Sequence, residues 1–275
     1  MLTIKNYVKA QSLSEAYELN QKRSNRIIGG MLWMKMSNTT IQTAIDLSGL
    51  GLDKIEETKD EFSIGCMVTL RQLEQHKQLN LYTDGAIAES VKSIVGVQFR
   101  NLATVGGSIF GRYGFSDVLT MFLALDTQVE LFKGGIVSLA DFINLPLDND
   151  ILVRLIVKKA PLKSAYLSVR NSKTDFPVLA CSVACLNGNY RAVIGARPGK
   201  AVLVEVSKSF FIEELQGNAN AFADYVTKQI TTGSNMRASA EYRKLLANVL
   251  TRRSCEKVLE LMKAGGKKKG FFQRS

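Results

Sequence analysis

Histidine and tryptophan each occur once in this chain of 275 residues, as His76 and Trp33. A single imidazole excludes a histidine-rich metal centre, and it confines any Ser–His–Asp or Cys–His set to the neighbourhood of His76. His76 sits at the polar end of a helical pattern, so hydrolytic chemistry has little support. The four cysteines, Cys66, Cys181, Cys185 and Cys255, form no C-x-x-C pair. Cys181 and Cys185 lie in the apolar run VLACSVACL, where period-two alternation puts both on one strand face. Two thiols do not make an iron–sulfur or structural zinc site, and burial in a core is the ordinary fate of free cysteine. No metal site is expected in this chain.

Long apolar runs are also lacking. None reaches the roughly 18 residues that span a bilayer, and the N-terminal MLTIKNYVKAQ has no apolar centre of the secretory kind. No membrane insertion and a cytoplasmic location are therefore expected. Acidic residues are in deficit: 25 Asp and Glu face 36 Lys and Arg, a net charge of +11. Part of the excess lies in the tail KAGGKKKGFFQRS, which is expected to be disordered. The other cations are scattered, and no helical pattern carries a basic face interleaved with aromatics, so nucleic acid is not an expected partner.

What is present is an ordinary globular composition, 46% apolar and 22% charged, with alternating β and α signals and no internal repeat. LTIKNYVKA reads as a strand, Ser12-x-x-Glu15 as a capping box opening a helix, and NRIIGG and AIDLSG as short strands, together a small β-α-β unit. FSIGCMVTL is a strand, Thr69-x-x-Gln72 caps a helix, and GAIAESVKSI is another helix. TQVELF and DILVRLIVKK read as strands, followed after Pro161 by SAYLSVRN, FPVLACSVACL and YRAVIGA, with Asn187-Gly188 as a hairpin turn. IEELQGNANAFADYVTKQI and SAEYRKLLANVLTRRSCEKVLELMKA read as two closing helices.

Two glycine pairs end extended segments: Gly29-Gly30 after RII and Gly106-Gly107 after LATV. Glycine lets a bulky anion approach the backbone and lets successive N–H groups face one point. Neither pair fits the G-x-G-x-x-G or the G-x-x-x-x-G-K pattern, so a Rossmann site and a P-loop are poor matches. On the residues alone the pairs are turns or an anion or dinucleotide site. Ser116 is placed to cap DVLTMFLALD, and Asp117 is a favourable charge at that helix start.

Four segments occur in order over nearly the whole chain: RIIGGMLWMKM, RNLATVGGSIFGRYGFSDVL, RNSKTDFPVLACSVA and SAEYRKLLANVLTRR. Together they resemble the FAD-binding subunits or domains of molybdenum hydroxylases, the family of xanthine dehydrogenase and carbon monoxide dehydrogenase. The resemblance implies an α+β chain with the vanillyl-alcohol-oxidase (PCMH) type of FAD-binding fold and a small C-terminal α/β domain of antiparallel strands plus helices. It implies an N-terminal α/β subdomain over 1–54, a central FAD-binding subdomain over 55–160, a C-terminal flavoprotein domain over 161–264 and the basic tail over 265–275.

The same resemblance implies FAD as cofactor and a set of binding residues. Ile27, Ile28, Gly29, Gly30, Met31, Leu32 and Trp33 would wrap the diphosphate, and Thr104, Gly106, Gly107 and Ser108 would face it, with Arg100 adding positive charge. For Trp33, core packing and flavin contact both stay open. Asp117 matches the family aspartate that hydrogen-bonds the cofactor, with Ser116 beside it, and Arg170 stands where the family often has a lysine near the flavin. No catalytic residue is implied. The chain would be the electron-transfer flavoprotein subunit of an oxidoreductase, a molybdopterin dehydrogenase. A molybdopterin-binding large subunit oxidises the substrate, a small subunit with two 2Fe–2S clusters relays the electrons, and the FAD subunit passes them to NAD+ or another acceptor. The molybdenum cofactor and the 2Fe–2S clusters would belong to partner chains. Ser108 in place of the family asparagine, and the bulky FGRYGF, are the features that an FAD-free structural or interaction subunit of the same fold would show.

Overall fold

The computed structural model describes the backbone of residues 1–272 and the side chains through residue 264. The basic tail expected over 265–275 falls outside the residues described in full. By packing, the chain forms two units: Met1–Gln75 with Val95–Tyr113 and Thr127–Lys159, and His76–Ile94 with Gly114–Asp126 and the chain from Ala160 onward.

In the first unit Thr40–Asp46 is the middle of three parallel strands, flanked by Thr3–Lys9 and Arg26–Ile28. The crossover is the helix Leu13–Asn20. Its capping box is realised with a one-residue shift: the Ser12 hydroxyl accepts from Glu15 N–H at 3.1 Å, and the Glu15 carboxylate accepts from the N–H of Gln11, just before the cap, at 2.7 Å. A five-stranded antiparallel sheet follows, in the order Ile55–Glu57, Glu61–Gly65, Leu152–Lys158, Thr127–Leu131, Gly135–Ser138. Its middle strand, LVRLIVK, buries Leu152, Val153, Leu155, Ile156 and Val157, the pattern of a strand covered on both faces.

The second unit is built on four antiparallel strands in the order Val202–Val206, Asn189–Gly195, Pro177–Leu186, Leu162–Arg170. Pro177–Leu186 is buried at every position. Its core is closed by the helices Ala219–Gln229 and Ala240–Phe272. Asn187 and Gly188, at φ 51° and 87°, form the hairpin turn; both angles are left-handed, as a two-residue turn of that hand requires. Cys181, Cys185 and Cys255 share this core, and Cys66 is buried in the first unit. Burial pushes the thiols of Cys66, Cys181 and Cys255 up to about 12.

Two readings of local structure change. Gly106-Gly107 does not form a turn after a strand: Thr104 caps a short helix, Val105–Phe110, its hydroxyl accepting from Gly107 N–H at 3.2 Å. Residues 212–230 are not one helix: Gln216 and Gly217, at φ 53° and 60°, end Lys208–Glu213, and Asn218 caps Ala219–Gln229 by accepting from Asn220 N–H at 2.7 Å. Division by position also differs from division by packing. Both break near residue 160. The helices Ala86–Lys92 and Asp117–Ala124, inside the 55–160 segment, instead pack on the strands of the second unit. They do so because Ile87, Val91 and every residue of Asp117–Ala124 are buried there.

One contact in this packing is unusually close. A methyl group on Gly195 would lie 2.1 Å from Thr120 Oγ1 and 3.2 Å from Thr120 Cβ. Gly195→Ala should therefore destabilise the protein by about 1–3 kcal/mol, the usual cost of overpacking. The penalty should shrink in a Thr120→Ala background, and equal penalties in both backgrounds in urea unfolding would refute the assignment.

Candidate functional site

The first glycine pair follows the strand Arg26–Ile28. A methyl on Gly30 would lie 2.0 Å from the carbonyl oxygen of Leu102, and one on Gly29 would lie 2.8 Å from Thr104 Oγ1. The two loops singled out in the sequence therefore touch, and at Gly30 the contact is backbone on backbone. Met31 comes next at φ 56°, a left-handed conformation that costs a residue with a Cβ roughly 1–2 kcal/mol. The turn is then held by Lys35 N–H donating to Met31 O at 2.9 Å and by the 3-10 turn Met34–Met36.

The backbone N–H groups of Gly29, Gly30, Met31 and Leu32 donate to no group among the described residues. These residues are exposed or half-buried, so the donors face solvent or an acceptor from outside, and a left-handed residue within such a run turns consecutive N–H groups toward one side. The first loop is thus a row of donors with no acceptor among the described residues.

The second loop is different. Val105 N–H donates to Val68 O at 2.8 Å, Gly106 N–H to Cys66 O at 2.8 Å, Gly107 N–H to the Thr104 hydroxyl at 3.2 Å and Ser108 N–H to Thr104 O at 3.1 Å. The Ser108 hydroxyl donates to Thr104 O at 2.9 Å. Gly106 is required for this packing, since a methyl there would lie 2.9 Å from Cys66 Cβ. The second loop therefore spends its donors internally and braces the first. Arg100, also expected near phosphate, is buried and lies 3.0 Å from Glu74, which Arg71 contacts at 2.8 Å.

The first part of the bulky FGRYGF segment, through Tyr113, belongs to the first unit, and Gly114 and Phe115 belong to the second. Arg112, at φ 49°, places its guanidinium 4.0 Å from the Phe142 ring and donates to Phe142 O at 3.0 Å. Gly111 makes room for Tyr113, whose ring carbon would lie 2.3 Å from a methyl there.

Ser116, Asp117 and Arg170 belong to the second unit. The Ser116 hydroxyl caps its helix by accepting from Leu119 N–H at 3.1 Å. The buried Asp117 carboxylate accepts from Arg170 at 2.7 Å and from the Tyr166 hydroxyl. Burial pushes the Asp117 carboxyl up, and the charge and hydrogen bond of Arg170 pull the other way without cancelling it. Burial, then the nearby Asp117 charge, hold Tyr166 well above the ordinary phenol value. Arg170 also donates to Asp175 O at 2.5 Å, while its buried Nε has no partner. Asp117 thus fixes Arg170 rather than presenting a free carboxylate.

Sequence reasoning missed a cavity of about 380 Å³ in the second unit, lined among others by Phe115, Phe176, Asn235 and Arg237. The rings of Phe115 and Phe176 meet edge to face at 4.7 Å. Arg237 lies 5.0 Å from the Phe176 ring and 3.2 Å from Asp175, and its Nε is buried without a partner. Such a lining suits a planar group that carries a hydrogen-bond acceptor. The signal was in two quoted motifs. Phe176-Pro177 lies within RNSKTDFPVLACSVA and lines the cavity, and the arginine of S-A-E-Y-R, Arg243, holds the segment that carries Asn235 and Arg237. Arg243, almost fully buried, donates to Val178 O, Gly233 O, Ala238 O and Asn235 Oδ1 at 2.6–2.9 Å, tying the segment that carries Arg237 to the central strand.

Among the described residues no group of three or more His, Cys, Asp or Glu is placed to hold a metal ion, and no helix is long and apolar enough to cross a membrane.

Comparison with known proteins gives a consistent result. Residues 2–159 match the family model described as the FAD binding domain in molybdopterin dehydrogenase. The chain is 26% identical over 253 residues to the uncharacterized protein YgfM of Escherichia coli K12, covering 90% of this chain and 93% of that protein. It is 23% identical over 276 residues to the glyceraldehyde dehydrogenase medium chain of Sulfolobus acidocaldarius, covering 92% and 97%. Its fold matches a chain of carbon monoxide dehydrogenase from Hydrogenophaga pseudoflava, a form lacking the Mo-pyranopterin moiety of the molybdenum cofactor. The TM-score is 0.81 at 20% identity, over 93% of this chain and 97% of the other.

Two outcomes follow from the charged pairs. Asp117→Ala leaves Arg170 buried without its counter-charge and should cost about 3–5 kcal/mol in chemical unfolding; a loss under 1 kcal/mol, roughly the value of an exposed pair, would count against the pairing. Burial raises the Glu74 carboxyl, but the hydrogen bonds and charges of Arg71 and Arg100 outweigh it and hold the group below its ordinary 4.5. A lowered folded value gives stability that is present above the ordinary value and lost as pH falls through the folded one. Glu74→Gln should therefore flatten the loss of stability below about pH 4.5, and an unchanged acid limb would argue that the pair contributes nothing.

Proposed function

We propose, because the chain belongs to the FAD-binding domain family of molybdopterin dehydrogenases, a family of oxidoreductases, that it is the FAD-binding electron-transfer subunit of a multi-subunit molybdenum hydroxylase. The observation that carries the reading is the row of four backbone N–H groups, Gly29 to Leu32, that find no acceptor among the described residues. A diphosphate is a doubly charged acceptor with several oxygens, and backbone donors need no counter-ion to receive it. Ile27 and Ile28 deliver the loop from the strand, and Thr104, Gly106, Gly107 and Ser108 hold it in place. Arg100 acts on the site through Glu74 and the second loop. Ser116, Asp117 and Arg170 stay in the proposed cofactor-binding set, with Asp117 acting through Arg170.

When bound, FAD supplies the electron-transfer chemistry, and the protein contributes position and electrostatics. In our reading this chain takes electrons from the 2Fe–2S clusters of a small partner subunit and passes them to NAD+ or another acceptor. A molybdopterin-binding large subunit performs the oxidation. The relative named as a medium chain supports an assembly of unequal subunits.

Reconstituted with FAD, the purified chain should hold one equivalent and show flavin absorbance that is released on denaturation. Gly30→Ala, which drives a methyl against Leu102 O, should lower FAD affinity at least about tenfold, a loss of ~1.4 kcal/mol. Its circular dichroism spectrum should match that of the wild type. A wild-type chain that retains no FAD would overturn the reading and leave an FAD-free interaction subunit of the same fold.

A further inference from the structure

Trp33 directly follows the donor row in the chain. It lies three residues beyond Gly30, at the start of the 3-10 turn Met34–Met36, and meets the Phe99 ring edge to face at 6.0 Å. Phe99 belongs to the helix Val97–Arg100, which leads into the second loop. The indole therefore joins the segments on either side of the Gly30–Leu102 contact. It is neither a core residue nor a loose surface one: 46% of it is exposed, while one edge is set against a ring. Met36, three residues beyond Trp33, and Val97 and Leu102, which flank Phe99 in sequence, are exposed at 69%, 43% and 49%. An isolated exposed apolar residue needs no explanation, whereas several drawn from two short segments that also form an anion cradle do.

We infer that Trp33 is a stacking platform for a planar ring of the dinucleotide whose diphosphate the Gly29–Leu32 row receives; this rests on the reading proposed above. A ring tethered to a diphosphate must lie close to the groups that hold the diphosphate. Indole is the largest aromatic face a protein offers, and the edge contact with Phe99 fixes its plane before the ligand arrives, so little ordering is lost on binding. Stacking on an aromatic face is tolerant of ring identity. The adenine and the isoalloxazine are both chemically suitable, and the test separates them.

The full-length chain, Trp33→Leu and Trp33→Phe are titrated with FAD, FMN and ADP by calorimetry, with bound flavin quantified after denaturation. Trp33→Leu should bind FAD about tenfold more weakly, the lower part of the range for losing one stacked base. Trp33→Phe should recover most of the affinity, and the melting temperatures of the three FAD-free proteins should agree because the side chain is half exposed. Weakened ADP binding with unchanged FMN binding would place adenine on the indole, and the reverse would place the isoalloxazine there; either supports the platform. FAD affinity within twofold of wild type in Trp33→Leu, at full flavin stoichiometry, would overturn the platform while leaving the FAD reading intact, and would assign the exposed side chains to a protein partner instead. A wild-type chain that binds no FAD would overturn the reading beneath it.

Discussion

The closest constraint in the site is the approach of one backbone to another: Gly30 lies so near the carbonyl of Leu102 that no side chain fits between them. Much of the candidate site depends on it. The first loop, with its left-handed Met31 and four N–H groups that meet no acceptor among the described residues, rests on a second loop braced by its own hydrogen bonds. Those bonds run to Val68, Cys66 and Thr104. Two glycine pairs that look alike in sequence therefore do different work. One exposes backbone, and the other lets backbone pack. Strain of this kind persists only where the surroundings over-determine the conformation.

The second unit handles charge by a different rule. Asp117, Tyr166 and Arg170 form a buried set in which burial raises the carboxyl and the guanidinium opposes it. Arg243 is buried with no carboxylate among its partners; carbonyl oxygens and one amide oxygen surround it instead. A cation held by neutral acceptors keeps its charge uncompensated, whereas a paired one is locked in place. The first unit uses both devices on a smaller scale, Arg100 against Glu74 and Arg112 against Phe142 with its carbonyl.

Much of this was legible in the sequence. The β-α-β start, the two capping boxes, the Asn187-Gly188 turn and the buried strand Pro177–Leu186 follow from local patterns that the structure realises. The helix Val105–Phe110 was hidden because its two glycines argue against a helix, while a threonine cap and a tight fit against Cys66 argue for it. The break at Gln216 was hidden because the cue, Gly217, sits inside an apolar pattern that continues on both sides. At the site, the glycine loops and the residues around them could be found by motif, but not which loop keeps its donors free, since that depends on partners such as Cys66 and Val68 dozens of residues away in the chain. The partners of Asp117 and Arg100 were invisible for the same reason: an ion pair between distant positions leaves no local trace.

The burial of all four cysteines has a consequence for a chain of this kind. With Cys66, Cys181 and Cys255 pushed to about 12 and Cys185 raised as well, almost no thiolate exists at neutral pH. Thiolate is the form that attacks disulfides and peroxide. The chain's own sulfur is thereby kept chemically quiet: an oxidant or a disulfide that reaches this protein finds almost no thiolate to react with. The apolar packing that closes the two cores is thus also what protects their thiols.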